Sequence, residues 1–210
     1  MKRKSSQVTN CLKRAFDICF SLGFLMLTSP LFLLVSTAIK LTSSGPIFYA
    51  QKRVGRNKKP FFIWKFRTMC VNADAILQDL LQDPLVRNEW EKNWKLKEDP
   101  RTTRIGKFLR QKSLDELPQF WNVLKGEMSI VGPRPQVEDE VNQYFKEKAQ
   151  KILSVRPGIT GLWQVSGRNF LSRAERVCLD EHYVDNLSFM LDLHLIAKTI
   201  RVIFSSKGAY

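Results

Sequence analysis

The hydrophobic pattern of the chain begins with an apolar run from Ile18 to Ile39 that contains no charged residue. A straight helix of about 22 residues would be roughly 33 Å long, which is enough to cross the hydrocarbon core of a bilayer. Ser29 and Pro30 stand near the middle of the run. Because proline lacks a backbone N–H and its ring clashes with the preceding turn, a bend is predicted at Ser29 and Pro30.

Basic residues flank the apolar run on both sides, with Lys13 and Arg14 before it and Lys40 and Arg53 after it. The positive-inside rule keeps both flanks in the cytoplasm, which a helix that bends and returns to the same face allows. We therefore expect a re-entrant membrane helix-hairpin within residues 1–44. A single membrane span and a buried helix of a soluble protein remain alternatives. A signal peptide is disfavoured because no small-residue cleavage pattern follows the run.

Two segments rich in aromatic and β-branched residues follow, at residues 45–51 and 60–69, and a polar loop joins them. This pattern predicts a β-hairpin. In the second strand, the period-two alternation places Lys65 and Arg67 on one face. Two neighbouring cations between apolar residues are candidate phosphate ligands, although charged residues of a strand are more often simply solvated.

Helical periodicity recurs twice in the rest of the chain. Residues 73–96 carry leucines and tryptophans at helical spacing in a polar background, which predicts a surface insertion made of one helix or of a helix pair broken near Pro84. The segment from Phe189 to Phe204 is amphipathic and basic, and it is predicted to lie along a membrane surface or to pack in the core. The predicted fold class is α+β, with a membrane-associated cytosolic domain at residues 45–210.

Two adjacent carboxylates, Asp115 and Glu116, stand in this strongly basic protein. Ser113 and Glu116 match a capping box, in which the serine caps a helix and the glutamate three residues later reciprocates. Alternatively, Pro118 lies in the first turn of a helix that ends at Gly126, because a proline deeper in a helix costs a hydrogen bond. Both interpretations place the carboxylates at a helix N-terminus, where the dipole lowers the pKa of an acid and attracts further anions.

An ionised aspartate in such a position is a candidate nucleophile toward phosphorus, and an adjacent glutamate can hold Mg²⁺. Asp115 and Glu116 are therefore the candidate catalytic and metal-binding residues. A carboxylate that attacks a diphosphate is repelled by it, so cations must offset the negative charge. The candidate phosphate-binding cations are Lys65, Arg67, Arg110 and Arg134. Arg134 stands between two prolines, whose rings restrict its backbone.

A glycine-rich segment at residues 154–168 carries further candidates. Its glycines permit the tight backbone geometry that the approach of a phosphate or nucleotide requires. The glycine spacing matches neither a Walker loop nor the dinucleotide-binding pattern, so the segment alone is a weak signal. Gln164 and Arg168 in this segment are added to the candidate substrate-binding and phosphate-binding residues.

The amino-acid composition limits the kinds of molecule that the protein is expected to bind. The 34 lysines and arginines exceed the 20 aspartates and glutamates and give a formal charge of +14, which implies nucleic acid, an anionic membrane surface or phosphorylated substrates. The four cysteines are scattered without a CxxC pair, and the two histidines stand apart from them. A zinc site and a disulfide framework are therefore not indicated. Carboxylate chemistry is favoured over histidine-driven chemistry.

Short motifs spread over nearly the whole chain resemble, in the same order, those of the bacterial sugar transferases, which are monotopic phosphoglycosyl transferases. The ordered set is more specific than any single motif. The insertion at residues 73–96 and the ending Gly208-Ala209-Tyr210 resemble the members that transfer galactose-1-phosphate to undecaprenyl phosphate. The matching segments are Lys13-Arg14-Ala15-Phe16-Asp17, Ser29-Pro30, Gly45-Pro46-Ile47-Phe48, Lys65-Phe66-Arg67-Thr68-Met69, Asp99-Pro100-Arg101, Ser113-Leu114-Asp115-Glu116-Leu117-Pro118-Gln119, Asn122-Val123-Leu124, Val131-Gly132-Pro133-Arg134-Pro135 and Pro157-Gly158-Ile159-Thr160-Gly161.

The resemblance implies transfer of a sugar-1-phosphate from a UDP-sugar to polyprenyl (undecaprenyl) phosphate with release of UMP, as the first membrane step of bacterial glycan synthesis. It implies that Asp115 is the nucleophile, that Glu116 belongs to a Mg²⁺ site, and that Lys65, Arg110 and Arg134 bind phosphate. It also implies a re-entrant helix in the bacterial inner membrane, with the catalytic domain facing the cytoplasm. The expected partners are therefore the UDP-sugar, polyprenyl phosphate and membrane lipid, and a homodimer is a candidate assembly.

Two other classes of function compete with this one. A non-enzymatic basic adaptor at the membrane surface would use its arginines for anionic lipid and the acidic pair as a helix cap. It predicts that Asp115→Asn lowers stability slightly and leaves function intact. Nucleic-acid binding rests on the net charge alone, and the long apolar run argues against it, so no nucleic-acid partner is expected.

Overall fold

Helices predominate in the computed structural model, which describes residues 2–93, 96–167 and 170–205. The predicted combination of helices with a small antiparallel sheet is confirmed. The helices α1 to α10 span Lys2–Thr42, Ala73–Leu80, Pro84–Asn93, Arg104–Gln111, Gln119–Lys125, Glu138–Glu140, Ala149–Ile152, Leu162–Val165, Arg173–Asp185 and Phe189–Ser205. The strands β1 to β4 span Phe48–Val54, Pro60–Phe66, Ser129–Val131 and Gly158–Thr160.

Helix α1 is one continuous helix that includes Pro30. Its most apolar stretch of 18 residues, within Cys11–Thr42, has a mean hydropathy of 2.2, and α1 is the one helix among the described residues that is long and apolar enough to cross a membrane. Pro30 cannot bond the carbonyl of Met26 four residues earlier, and the Ser29 hydroxyl donates to that carbonyl at 2.8 Å. The predicted apolar helix is therefore present, and its return as a hairpin stays a prediction.

One side of α1 packs along the rest of the protein. Asp17 and Ser21 are 1 % and 0 % exposed near its beginning, and Val35 and Ile39 are 4 % and 2 % exposed near its end. The other side presents large apolar side chains to the outside. These exposed residues are Leu22, Met26, Leu27, Leu33, Leu34 and Leu41. Helix α1 thus combines a packed face with a long apolar face that no other described part of the protein covers.

Strands β1 and β2 form the predicted antiparallel hairpin, in a register that pairs Phe48 with Phe66. Ile63 packs in one core cluster with Phe120 of α5. Phe66 packs in another cluster with side chains of α1 and α4. Strand β2 is therefore covered on both faces, and a slip of one residue would expose large aromatic side chains, so the register of the hairpin is strongly specified.

The predicted surface insertion consists of the helix pair α2 and α3, separated just before Pro84. Helix α2 contains no buried residue, and Leu85 of α3 is 79 % exposed. The pair borders a cleft through Leu77 and Trp90. The prediction of a helix pair broken near Pro84 is confirmed.

The predicted capping box at Ser113 is wrong. Ser113 has a left-handed backbone with a φ of 56°, and its side chain makes no capping hydrogen bond, because an N-cap residue requires an extended backbone. Leu114–Glu116 forms one turn of 3₁₀ helix. The alternative prediction is confirmed, because α5 begins directly after Pro118 and ends at Gly126, which has a φ of 81°.

The parallel strands β3 and β4 lie at the centre of the C-terminal half. Ser129 pairs with Gly158, and a side chain at position 158 would place its Cβ 2.1 Å from the backbone nitrogen of Gly132. Only glycine permits this close approach of the two chains. Helix α10 packs against the core through Leu195, which is 0 % exposed, whereas its Met190 is 73 % exposed. The predicted C-terminal amphipathic helix therefore packs in the core along one face.

Candidate active site

An open cleft of about 1870 Å³ runs between the β-hairpin, the corner between α4 and α5, and helix α9. Its volume exceeds that of a usual small-ligand site, so it has room for a large substrate. Most of the predicted site residues line it. They are Lys65, Arg67, Arg110, Asp115, Glu116, Arg134 and Gln164.

Asp115 is a buried carboxylate without a hydrogen-bond partner. It lies in the 3₁₀ turn before α5 and is 8 % exposed, and within the described parts of the chain no group hydrogen-bonds to its side chain. Burial and the neighbouring Glu116 charge raise the pKa of Asp115 to about 6, against the opposing charges of Lys65, Arg110 and Arg134. At neutral pH this carboxylate is therefore ionised, unpaired and available to react.

Glu116 is held by two cations. Lys65 Nζ donates to Glu116 Oε1 at 2.9 Å, and Arg134 donates to Oε1 at 2.6 Å and to Oε2 at 3.3 Å. Burial alone would raise the pKa of Glu116, but the charges and hydrogen bonds of Arg134 and Lys65 hold it well below its usual range. The two adjacent carboxyl groups therefore differ in pKa and in pairing. Glu116 is ionised and paired with two cations, whereas Asp115 has a raised pKa and no paired cation.

Arg134 is placed by a loop that is fastened to strand β4. The Gly132 N–H donates to the Thr160 carbonyl at 2.9 Å, and the Gly158 N–H donates to the Pro133 carbonyl at 2.8 Å. Each of these bonds lies immediately before Arg134 in the chain. The backbone that carries the guanidinium is therefore rigid, which agrees with the rigidity predicted from its two neighbouring prolines.

Arg110 approaches the acidic pair from helix α4. Its Nε donates to Thr68 Oγ1 at 2.9 Å and its Nη1 donates to Thr102 Oγ1 at 3.2 Å. Burial lowers the pKa of Arg110, and the charge of Asp115 opposes this effect. The two hydroxyl groups fix the guanidinium beside the cleft without neutralising its charge, so the charge remains available to an anion.

Arg67 lines the cleft but has a different set of partners from Lys65. Its guanidinium donates to the carbonyl of Ser44 and to the carbonyl and hydroxyl of Ser43 at 3.0 and 2.7 Å. Strand β2 ends at Phe66, so the strand alternation that predicted a shared direction for Lys65 and Arg67 does not continue. Lys65 contacts Glu116, whereas Arg67 secures the chain that follows α1.

The glycine-rich segment brings Gln164 to the wall of the cleft. Gln164 Nε2 donates to the carbonyl of Ile159 at 2.8 Å, so its amide is oriented by the backbone of β4. Arg168, the other candidate of this segment, lies outside the described residues.

Four charged residues of the cleft wall were missed in the sequence. Arg173 Nη1 donates to Glu140 Oε1 at 2.7 Å, and Arg53 Nη1 lies 3.9 Å from Glu140 Oε2. Arg176 lies beside them on α9, with its guanidinium 4.7 Å from the ring centre of Trp163. These residues come from β1, α6 and α9, so no local spacing in the sequence joins them.

The start of α1 fastens the two elements that carry the site. Arg14 donates to the carbonyls of Val123 and Leu124, at the end of α5, at 2.6 and 2.9 Å. Asp17 accepts a hydrogen bond from the backbone N–H of Ile130 in β3 at 3.0 Å. Helix α5 follows the acidic pair, and β3 leads into the loop that carries the arginine. Helix α1 therefore positions both sides of the site.

The acidic pair is the predicted magnesium site, and its two carboxylates differ in how open they are to an ion. Mg²⁺ binds one or two protein carboxylates and completes its shell with water and substrate phosphates. Asp115 supplies a carboxylate with no hydrogen-bond partner among the described residues, and Glu116 supplies a second one beside it. No group of three His, Cys, Asp or Glu residues suited to a metal occurs in the described parts of the chain. Because Lys65 and Arg134 occupy both oxygens of Glu116, Asp115 offers the open carboxylate of the pair, and a magnesium site here stays a prediction.

Comparison with known proteins defines the class to which this fold and site belong. A family model described as bacterial sugar transferase matches residues 8–206. The chain belongs to the bacterial sugar transferase family. The predicted family and the prediction of a transferase enzyme are confirmed.

Several curated relatives cover nearly the whole chain. It is 49 % identical over 199 residues to the exopolysaccharide production protein ExoY of Sinorhizobium fredii, covering 94 % of this chain and 88 % of that protein. It is 48 % identical over 201 residues to the undecaprenyl-phosphate galactose phosphotransferase of Salmonella typhimurium, covering 95 % and 42 %. It is 42 % identical over 207 residues to the UDP-glucose:undecaprenyl-phosphate glucose-1-phosphate transferase of Klebsiella pneumoniae, covering 94 % and 41 %. The chain spans less than half the length of the last two proteins.

Proposed function

We propose that the protein transfers a sugar-1-phosphate from a UDP-sugar to undecaprenyl phosphate and releases UMP, as the first membrane step of exopolysaccharide or related glycan synthesis. The names of the relatives support the two substrates, since one is an undecaprenyl-phosphate galactose phosphotransferase and another uses UDP-glucose. The name of a third supports exopolysaccharide production as the pathway. The reaction class is phosphoglycosyl transfer.

The observation that carries the mechanism is the buried, unpaired carboxylate of Asp115 on the wall of the cleft. Ionised carboxylates in protein interiors are normally paired, because an unpaired charge is costly to bury. Here the adjacent Glu116 takes the direct contacts of Lys65 and Arg134. Asp115 is left as the reactive group, and the cations remain close enough to lower its pKa against the effect of burial.

In the first half-reaction, an Asp115 carboxylate oxygen attacks the phosphorus that carries the sugar. A bond forms between this oxygen and the phosphorus, and the bond from the phosphorus to the bridging oxygen of the diphosphate breaks. The electron pair goes to that oxygen, which leaves on UMP. The product is an aspartyl phosphosugar, and no proton needs to move.

In the second half-reaction, an oxygen of undecaprenyl phosphate attacks the same phosphorus. The bond between the phosphorus and Asp115 breaks, and its electron pair restores the carboxylate. The product is the undecaprenyl-diphosphate sugar. Because UMP leaves before the lipid reacts, the kinetics are of the ping-pong type.

The surrounding residues reduce the repulsion between the carboxylate and the diphosphate. Arg110 is held by two hydroxyl groups, and Lys65 and Arg134 are held by Glu116, so the three cations are oriented before the substrate arrives. Preorganised charges of this kind stabilise the charge that develops on phosphate oxygens. Asp115 and Glu116 would also hold Mg²⁺, which when bound neutralises charge on the diphosphate oxygens.

We further propose that α1 enters and leaves the inner membrane on its cytoplasmic face, with a bend at Ser29 and Pro30. Both ends of its apolar part contact the rest of the protein, since Asp17 bonds to β3 and Ile39 packs against Phe66 of the hairpin. A helix that crosses a bilayer would carry one of these ends to the far side. The exposed leucines of α1 would face lipid, and the catalytic domain at residues 45–210 would remain in the cytoplasm.

A panel of UDP-sugars tests the reaction and identifies the donor. We expect UMP release from one donor in the presence of undecaprenyl phosphate and Mg²⁺, with transfer of labelled phosphosugar to lipid. Omission of undecaprenyl phosphate should limit release to about one UMP per protein molecule. Release of intact UDP, or the absence of UMP with every donor, would contradict the proposed function.

Thiol labelling tests the proposed topology. Cys11 lies at one end of the apolar part of α1 and is exposed, and Thr42→Cys places a thiol at the other end. In a protein whose other cysteines are replaced, both thiols should react with a membrane-impermeant reagent only from the cytoplasmic side. Labelling of one of them from the outer side would indicate a single span.

A further inference from the structure

A second basic region lines the same cleft, at some remove from the acidic pair in the chain. It consists of Arg53, Glu140, Arg173 and Arg176, and all four line the cleft. We call it the Glu140 cluster. Glu140 is 7 % exposed and contacts both Arg53 and Arg173. Its arrangement therefore parallels that of Glu116, which also orients two cations.

The Glu140 cluster has a net positive charge. Three guanidinium groups face one carboxylate, which leaves an excess of two positive charges on the cleft wall. Two other acids of α9 are close in sequence, but Glu175 bonds Ser172 at the start of the helix and Asp180 is 2 % exposed, and neither lines the cleft. Burial and the charge of Arg134 lower the pKa of Arg53 to about 10. Like charges crowded in this way are stabilised when an anion binds between them.

Arg176 is held in place while its charged end stays available. Its guanidinium stacks over the Trp163 ring at 4.7 Å, and its Nε donates to the carbonyl of Leu171 at 3.1 Å. Its two terminal nitrogens form no hydrogen bond with any residue that the structure describes. A planar guanidinium that is fixed on one side and open on the other is suited to binding phosphate oxygens.

The Glu140 cluster adjoins the site of phosphoryl transfer through Arg134. The charge of Arg134 lowers the pKa of both Arg53 and Arg176, and the charge of Glu140 contributes to the raised pKa of Arg134. Arg134 in turn binds Glu116. The two basic regions line the same cleft, so a second phosphate group can be bound in it together with the one that reacts.

We infer that the Glu140 cluster is a second phosphate subsite, which binds a phosphate monoester dianion. This inference rests on the proposed function, in which two such groups occur: the phosphate of UMP as it leaves and the phosphate of undecaprenyl phosphate as it arrives. Both carry two negative charges, which match the excess of two positive charges in the cluster. The subsite is distinct from the cations that contact Glu116.

The test compares Arg176→Gln with wild type as full-length chains in lipid nanodiscs. Arg176 makes no ion pair with Glu140, so its replacement leaves the contacts of Arg53 and Arg173 in place. Titration calorimetry gives the Kd of UMP, and steady-state kinetics give the KM of undecaprenyl phosphate. Loss of one charge-assisted contact should weaken one of these two constants about tenfold. A rise in the Kd of UMP identifies the nucleotide as the occupant, and a rise in the KM of the lipid identifies the carrier.

Two further variants keep the test decisive. Arg104→Gln removes an exposed arginine of α4 that does not line the cleft, and both constants should stay within about twofold of wild type. Arg176→Lys keeps the charge but not the planar fork, and it should weaken the same constant about threefold. It carries the test if Arg176→Gln does not fold.

If neither the Kd of UMP nor the KM of undecaprenyl phosphate changes in the Arg176 variants, the proposed subsite is wrong. This holds also if the variants unfold at a lower temperature. Failure of the proposed function gives a different result, because wild type would then release no UMP from any UDP-sugar.

Discussion

Two buried clusters of this protein each combine a lysine with two carboxylates, but they differ in whether the unpaired carboxylate lies on the cleft wall. The first, at the cleft, contains Lys65, Asp115, Glu116 and Arg134. The second, between α1, β3, α9 and α10, contains Lys13, Asp17, Tyr183 and Asp192. We call them the cleft cluster and the α1 cluster.

In the α1 cluster, Lys13 and Asp192 form an ion pair, whereas Asp17 accepts hydrogen bonds at Oδ1 and its buried Oδ2 has no partner among the described residues. Lys13 Nζ contacts Asp192 Oδ2 at 2.5 Å, and the Tyr183 hydroxyl donates to Asp192 Oδ1 at 2.7 Å. Asp17 accepts hydrogen bonds from Ser129 and from the next residue. In the cleft cluster, Glu116 is paired but Asp115 is not.

The comparison shows that a raised pKa alone does not identify the reactive residue. Burial raises the pKa of both Asp115 and Asp192. Only Asp115 combines this burial with a place on the cleft wall and a carboxylate free of hydrogen bonds from the described residues. Asp192 is occupied by two partners, whereas Asp115 is open to the cleft, which is the basis for proposing it as the nucleophile.

The largest expected effect is that of Asp115→Asn. We predict a loss of turnover of at least about 1000-fold, because an amide cannot replace the nucleophilic carboxylate. The folded protein should not be less stable. The folded-state pKa of about 6 lies above the usual pKa of an aspartate, so ionisation of Asp115 increasingly opposes folding as the pH rises towards 6 and does so fully above it. Removing it should stabilise the protein at pH 7 by roughly 1–3 kcal/mol.

Chemical denaturation at pH 7 together with the rate of UMP release measures both effects of Asp115→Asn. Asp79→Asn, on the exposed helix α2, is the matched control and should change neither quantity. A destabilised variant with full activity would assign Asp115 to structure and favour the adaptor function.

Glu116→Gln should have the next largest effect. The amide retains the shape of the side chain but loses the charge that orients Lys65 and Arg134, so kcat/KM is expected to fall about 100-fold. The Glu116 charge contributes to the raised pKa of Asp115. The acid limb of the pH–rate profile should therefore move to lower pH in this variant. An unmoved acid limb would show that the two carboxyls are not electrostatically coupled.

Asp17→Ala breaks the α1 cluster instead of the cleft cluster. It removes the acceptor of the Ile130 N–H, which is buried in β3, and should cost roughly 1–3 kcal/mol in the free energy of unfolding. Activity should fall only as far as the folded fraction falls, with KM for the UDP-sugar unchanged at low temperature. A rate loss in fully folded protein would mean that α1 contributes to chemistry as well as to position.

The pH dependence of the wild type tests the ionisation of Asp115 without any substitution. The rate of UMP release in the first turnover should fall about tenfold for each pH unit below about pH 6, because Asp115 becomes protonated there. Above pH 7, where Asp115 is fully ionised, its titration should no longer change this rate. Circular dichroism at each pH distinguishes loss of the nucleophile from unfolding. A rate that stays constant down to pH 5 would contradict the raised pKa.

The parts of the fold and of the cleft cluster that could be predicted from the sequence are those formed by residues close together in the chain. The acidic pair stands out against the basic composition, and the prolines around Arg134 mark a rigid position. The β-hairpin and the helix that starts after Pro118 follow from turn and helix-end signals. These features depend on residues close in sequence.

The errors and omissions have long-range or conformational causes. The capping box failed because Ser113 is left-handed, a conformation that serine rarely adopts and that the motif does not indicate. Arg67 was grouped with Lys65 because the end of β2 was not predicted. The pairing of Glu140 with Arg53 and Arg173 requires the tertiary fold, which brings three distant elements together.

The central claim is that Asp115 becomes covalently attached to the phosphosugar. The most direct measurement is the intact mass of the protein after incubation with its UDP-sugar and Mg²⁺ in the absence of undecaprenyl phosphate, followed by peptide mapping. We predict an added mass of one sugar phosphate on the peptide that contains Asp115, its absence in Asp115→Asn, and its disappearance when undecaprenyl phosphate is added. An active protein that forms no adduct, and releases UMP only when the lipid is present, would contradict the account.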